Sequence, residues 1–445
     1  MFIYAAYVGL FLGSFYRPIF GVLGYLAVYT TYNTDIWWGA TFNVYLPRPS
    51  VIAMVFVIVG ALLHMKKLKW GISRREIEFY LFLGIVWISS LVFGIGMGPE
   101  NWPYLEKITK VFIFIFFLIR VVNSLNNYKL VLLTFVLAGV FLAYQAHTLS
   151  PSYFRSSRLD FLGGADFRES NAFAFFLTVG ITILGFQMLR SPYWKKIIYV
   201  LGVGLMFNAM IMTQSRAVFL GLLLGGIYVF IRPPKGFRKL IYLFLALGVV
   251  LFFVLADVKF LNRMGTMPGG IETGREEGMR RLDYWKASLK IFEDYPLGIG
   301  IKNFEKIVPY YDPTNIGRDA HNTYVLCYSE IGTFGILLFL LIIGEAWLQL
   351  ARIRKNGLNG LTKAEISIYV ISLETIYIAY FLGYMTFHSN LYSELLWVLL
   401  ALPICFENAV NKLVDAPPTA NTKISKRPSL LWKRATIQSA KSKSA

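Results

Sequence analysis

The sequence predicts an all-α polytopic membrane protein, with about twelve transmembrane helices and one large outside loop that carries amphipathic helix. Three observations predict it. Of 445 residues, 56% are hydrophobic and only 16% charged, against roughly 45–50% and about 25% in soluble domains. Apolar runs of spanning length recur along most of the chain, and mean hydropathy is +0.55. Finally, the basic residues gather in alternate connections, so the net charge of +19 reads as membrane topology and not as a nucleic-acid surface. Disorder is excluded for most of the chain. Cys327 and Cys405 fall inside apolar runs, as small buried hydrophobes and not as a disulfide staple.

A spanning helix needs about 20 mostly apolar residues. Such runs occur at 18–32, 50–65, 77–95, 109–123, 129–146, 171–189, 197–213, 216–231, 240–256, 323–350, 366–385 and 389–408. The run 2–13 is shorter and reads as a half-helix, an interfacial helix or a further span. It lacks a basic n-region and a cleavage site, so it does not read as a signal peptide. Lys66, Lys67, Lys69, Arg74 and Arg75 follow the second run and predict a cytoplasmic connection. Alternation then assigns Arg120/Lys129, Arg190/Lys195/Lys196, Arg232/Lys235/Arg238/Lys239, Arg352/Arg354/Lys355/Lys363 and the tail from Lys412 to Lys443 to the same side. The expected organisation is nine helices over 1–256, a large outside loop over 257–322, three helices over 323–408 and a basic, disordered cytoplasmic tail over 409–445, near anionic lipid.

Within the large loop, Leu282, Trp285, Leu289 and Phe292 fall at helical spacing. They describe an amphipathic helix that either lies on the membrane or packs on the rest of the loop. Pro296, Gly298 and Gly300 end it.

The chemistry gathers on the outside. The four histidines, His64, His147, His321 and His388, have no metal-ligand spacing to another His, Cys or carboxylate, and no metal or cofactor site is expected. Arginines there run against the topological bias. Arg216 lies in a short reversal, Arg281 opens the amphipathic helix, and Arg155, Arg158, Arg168, Arg275 and Arg280 accompany them. Arginine's planar fork matches phosphate oxygens, which suits a lipid-linked pyrophosphate; snorkelling, or pairing with Asp160, Asp166 or Glu169, is the structural alternative. His321-Asn322 stands where the loop re-enters the membrane, with Tyr324 and Tyr328 on the same helical face. Neighbouring arginines would keep its imidazole neutral and able to act as a base, against the alternative of an interfacial structural histidine. Glu330, Glu374 and Glu394 fall in apolar runs, where a carboxylate is costly and either serves a site or satisfies a buried polar group.

These pieces resemble a family. Glu169-Ser170-Asn171-Ala172-Phe173-Ala174, Ser215-Arg216, Arg281-x3-Trp285, Pro296-Leu297-Gly298-Ile299-Gly300, His321-Asn322-Thr323-Tyr324 and Glu330-Ile331-Gly332 occur in the order seen in O-antigen ligases and Wzy-type polymerases. Tyr32-Asn33-Thr34-Asp35-Ile36-Trp37-Trp38 resembles the exosortase-associated O-glycosylation ligase branch. The resemblance implies inverting, metal-independent glycosyl transfer at the periplasmic face of the bacterial inner membrane. The implied donor is a glycan on undecaprenyl pyrophosphate; the acceptor is a lipid A–core sugar, a growing glycan or a protein. It further implies that Arg216 and Arg281 hold the pyrophosphate and His321 activates the acceptor. Arg155, Arg158, Arg168, Asn171, Arg280, Asn322, Tyr324 and Glu330 complete the expected substrate site. A secondary transporter or lipid-linked glycan flippase is the competing class, kept open by Glu330 and Glu374.

Overall fold

A computed structural model describes residues 2–45, 48–155, 158–160, 162–234, 236–255, 272–314, 317–358 and 361–415. Every expected apolar run falls on helix: α1 (Phe2–Tyr16), α2 (Pro18–Thr31), α3 (Trp37–Tyr45), α4 (Pro49–Leu63), α5 (Arg74–Ile88), α6 (Trp102–Val121), α7 (Leu125–Ala146), α8 (Ser170–Met188), α9 (Tyr193–Met212), α10 (Arg216–Ile231), α11 (Arg238–Leu255), α12 (Glu272–Asp294), α13 (Phe304–Tyr311), α14 (Thr323–Asn356), α15 (Lys363–Tyr377) and α16 (Glu394–Asp415). Among the described residues, seven helices are long and apolar enough to cross a membrane, and four shorter apolar ones accompany them. This is a multi-pass membrane protein. The strands among the described residues are two-residue β1 (Phe154–Arg155) and β2 (Arg158–Leu159), paired antiparallel. The tail beyond Asp415 and the loop from 256 to 271 lie outside the described residues.

Local chemistry starts the helices where expected. Ser73 and Glu76 form a capping box on α5, as do Thr362 and Glu365 on α15. Pro18 and Pro49 open α2 and α4, where the missing N–H costs nothing. The short run at the start becomes a full helix: Tyr4 donates to the Trp38 carbonyl at 2.7 Å and Tyr7 bonds Thr31 at 2.6 Å, so α1 lies antiparallel along α2. Trp397, fully buried, centres the core among Phe79, Phe82, Phe112 and Phe339.

One expectation is corrected. The run 323–350 is not one straight helix, because Gly332 interrupts α14 at φ 79°, ψ −170°. There the turn 296–300 pairs backbone to backbone with 329–333: Ile299 N donates to Ser329 O, Gly300 N to Glu330 O and Thr333 N to Pro296 O, at 3.0, 2.9 and 2.9 Å. A Cβ on Gly332 would sit 2.3 Å from the Leu297 carbonyl carbon, so the Pro-Leu-Gly-Ile-Gly and Glu-Ile-Gly motifs are two halves of one clasp. The amphipathic helix packs on the protein through another face and leaves Leu282 and Leu289 outward, as the membrane-lying alternative of the two would have it. Tyr284, Ala287, Ser288 and Ile291 are buried, while Leu282 and Leu289 are 51% and 56% exposed. Trp285 and Phe292 lie at the boundary between the two faces.

Contacts sort the connections into two ends, as alternation requires. At one, Arg120 pairs with Glu76, Arg190 with Glu365 and Arg354 with Glu374. At the other, Lys107 pairs with Asp166, Arg168 with Asp35, and Asn101 donates to the Ile301 carbonyl at 2.6 Å.

Candidate active site

At that second end, three pieces of chain converge. The first is the start of α8. Asn171 Oδ1 accepts from Ser215 Oγ at 2.8 Å and from Arg158 Nη2 at 3.1 Å, while its Nδ2 donates to Glu169 Oε1 at 2.5 Å. Arg158 Nε donates to the Thr213 carbonyl at 3.1 Å. The α9–α10 reversal is thereby tied to α8. Gln214 makes that reversal at φ 51°, and Ser215 then caps α10, whose first residue is the half-buried Arg216.

The second piece is the break between α15 and α16. His388 Nε2 lies 2.9 Å from Glu169 Oε2, with side chains 14% and 48% exposed, and its ring packs 4.9 Å from that of Tyr384. This break is stitched to the start of α14. Thr323 N–H donates to Met385 O at 2.9 Å, Thr323 Oγ1 to His388 O at 2.7 Å, and Asn322 N–H to Ser389 Oγ at 3.2 Å. Asn322 caps α14 by accepting from Tyr324 N and Val325 N. His321, just before the cap, is held at φ 48°, a left-handed conformation that costs a non-glycine residue about 1–3 kcal/mol and gathers at functional sites.

The third piece is α12. Arg281 Nη1 donates to the Phe387 carbonyl at 3.4 Å, and Trp285 Nε1 to the Ala320 carbonyl at 3.1 Å. Arg281 and His321 therefore address the same connection.

The electrostatics separate the two histidines. Burial, then the Arg281 guanidinium, pushes His321 below its ordinary value. Burial also works against the charged form of His388, but the Glu169 carboxylate overcomes it and holds His388 above the ordinary value. Glu169 in turn is held below the usual carboxylate range: burial raises it, and His388 and Asn171 more than compensate. The surroundings thus favour the neutral form of one imidazole and the charged form of the other, which is how environments divide acid and base roles.

The structure thus links Arg158, Asn171, Arg281, His321 and Asn322 in one hydrogen-bonded and electrostatic cluster, with Arg216 adjoining through Ser215. Other expected residues sit elsewhere. Arg168 pairs with Asp35. Tyr324 donates its hydroxyl to the Phe381 carbonyl at 2.8 Å. Glu330, 1% exposed, accepts from Phe304 N at 3.1 Å and from Tyr392 OH, so its carboxylate ties α14 to the start of α13 and to the break before α16. The side chains of Arg155, Arg275 and Arg280 lie outside the described residues. Among the described residues, no group of three or more His, Cys, Asp or Glu side chains is placed to hold a metal ion.

The His388–Glu169 pair was missed from the sequence. Its signal was the polar break Thr386-Phe387-His388-Ser389-Asn390, part of which the run 389–408 absorbed; the helix starts only at Glu394.

No curated protein matches the chain. A family model described as O-antigen ligase matches residues 201–340, the stretch that carries Arg216, Arg281 and His321, so that over this part the chain is similar to O-antigen ligases.

Proposed function

We propose that the protein transfers a glycan from undecaprenyl pyrophosphate to a hydroxyl of a lipid A–core sugar, at the periplasmic face of the bacterial inner membrane. An imidazole nitrogen of His321 takes the acceptor proton as that oxygen attacks the anomeric carbon. The bond from that carbon to the pyrophosphate oxygen breaks on the opposite face, inverting the centre, and the pyrophosphate leaves on the polyprenol. Arg216 and Arg281 neutralise the charge that collects on it, which makes the reaction metal-independent. Arg158 and Asn171 hold the Arg216 turn, and the charged His388–Glu169 pair positions the connection that carries His321. The carrying observation is the convergence of Arg281, His321 and the His388–Glu169 pair where the start of α14 is stitched to the break before α16.

The test uses purified protein, an undecaprenyl-pyrophosphate glycan and a lipid A–core acceptor in EDTA. Wild type should glycosylate the acceptor and His321→Ala should not. Growth of the lipid-linked glycan without transfer to the acceptor would instead identify a polymerase. Loss of activity in EDTA, restored by Mg²⁺, would refute the metal-free mechanism.

A further inference from the structure

At the opposite, lysine- and arginine-rich end, a cavity of about 200 Å³ opens where the α1–α2 turn meets the ends of α4 and α6 and the start of α7. Arg17, His64, Lys67, Asn123 and Asn127 line it beside Leu68, and no carboxylate does. Arg17 and Lys67 are exposed and, among the described residues, unpaired. The carbonyl ends of α1, α4 and α6 favour cations nearby, but that does not account for a hollow left between them. Nor does it account for Asn127. This side chain is 8% exposed and donates Nδ2 to the Val121 carbonyl at 2.9 Å, which fixes the amide and leaves Oδ1 without a partner. His64 is oriented in the same way: Nδ1 is 3.0 Å from the Gly60 carbonyl, which leaves Nε2 for a ligand. Apolar surface adjoins on the flanking helices, where Phe15, Leu62 and Leu63 are 46%, 50% and 62% exposed.

We propose that this cavity binds the headgroup of an anionic phospholipid. Arg17 and Lys67 take the phosphate, His64 Nε2 accepts from a headgroup hydroxyl, and the acyl chains lie along Phe15, Leu62 and Leu63. Phosphate recognition alone would also suit a soluble phosphate; the adjoining apolar surface selects the lipid. Basic pockets between transmembrane helices recognise headgroups in this way.

The test is native mass spectrometry of the full chain, released from micelles containing equal dioleoylphosphatidylglycerol and dioleoylphosphatidylcholine. Wild type should retain the glycerol lipid preferentially, and the Arg17→Gln/Lys67→Gln variant should lose that preference by roughly tenfold or more. Lys195→Gln/Lys196→Gln, on the same end but outside the cavity, should behave as wild type. Equal retention of the two lipids, or the same loss in both double variants, would overturn the site. Displacement of the retained lipid by millimolar inorganic phosphate would assign the cavity to a soluble anion and overturn the lipid occupant. Lys67→Gln alone, which changes one exposed side chain, should give a smaller loss in the same direction and guards against misfolding of the double variant.

Discussion

Both ends of the molecule hold arginine beside carboxylate, yet they are built differently. At the basic end, Arg120 is 3% exposed and donates Nη1 to Glu76 at 2.7 Å and to the Phe116 carbonyl at 2.8 Å, and Nη2 to the Gly71 carbonyl at 3.1 Å. Its guanidinium also lies 3.5 Å over the Phe116 ring. Arg354 spends Nη1 on both oxygens of Glu374 and on Tyr228. In both pairs the carboxylate is sealed from solvent. At the other end, Arg281 is half-buried and donates to the Phe387 carbonyl, and Glu169 is nearly half exposed beside His388. Buried charge by itself therefore does not mark a site; charge that stays within reach of an incoming molecule does.

The largest effects should separate the ends by kind. His321→Ala should lower turnover by roughly 10²–10⁴-fold, and Arg216→Ala or Arg281→Ala by about 10²–10³-fold, with melting in detergent unchanged. Wild-type turnover in either arginine variant would remove the pyrophosphate clamp. At the closed end the readout reverses. Arg120→Leu leaves Glu76 buried and unpaired and should cost about 3–5 kcal/mol of stability, with the folded fraction retaining its activity. A variant that melts normally but turns over slowly would show that this pair is more than structural.

The pH profile sharpens the contrast within the active end. His321, held below the ordinary value near 6.5, stays neutral through the neutral range, so activity should fall only as pH drops through a value below 6.5. His388, held above it, keeps its charge and its pairing with Glu169 until pH rises through the raised value. The stability it lends is fully present below 6.5 and lost on that rise. A bell-shaped profile is expected, with the alkaline limb absent in His388→Gln and the acid limb kept. An unaltered alkaline limb in that variant would separate His388 from catalysis.

How far this was legible in sequence depends on range. The helices were legible because each is a run of apolar residues with its own local start signal, such as Ser73 with Glu76. Arg216 and Arg281 stood out because arginine in connections expected outside runs against the positive bias, and His321 because it stands where the long loop returns to apolar helix. The break in α14 was not legible: Gly332 is one glycine in an apolar run until the 296–300 turn packs on it. Which face of α12 turns inward was equally hidden, since Leu282 and Tyr284 are both hydrophobic and only the tertiary partner chooses between them. Glu330 looked like a site residue because its cost was visible and its partners, Phe304 N and Tyr392, were not. The same long-range pairing hid His388, which acquires a role only through Glu169.

The smallest comparison removes one hydroxyl from each end. Tyr228 OH donates to Glu374 Oε2 at 2.6 Å, but Arg354 already bonds both oxygens of that carboxylate at 2.7 and 2.6 Å. Tyr228→Phe should therefore cost about 0.5–1.5 kcal/mol, one hydrogen bond in a pair that stands without it, and leave turnover alone. Ser215→Ala removes a helix cap worth about 1 kcal/mol, a loss of similar size. It also removes the direct bond from Asn171 to the residue before Arg216, so turnover should fall roughly tenfold, because small misplacements of a charge clamp are costly. Two substitutions with matched stability effects and unmatched kinetic ones would distinguish the ends by what their hydrogen bonds hold in place. Equal turnover in both variants would mean that the Asn171 linkage does not position Arg216.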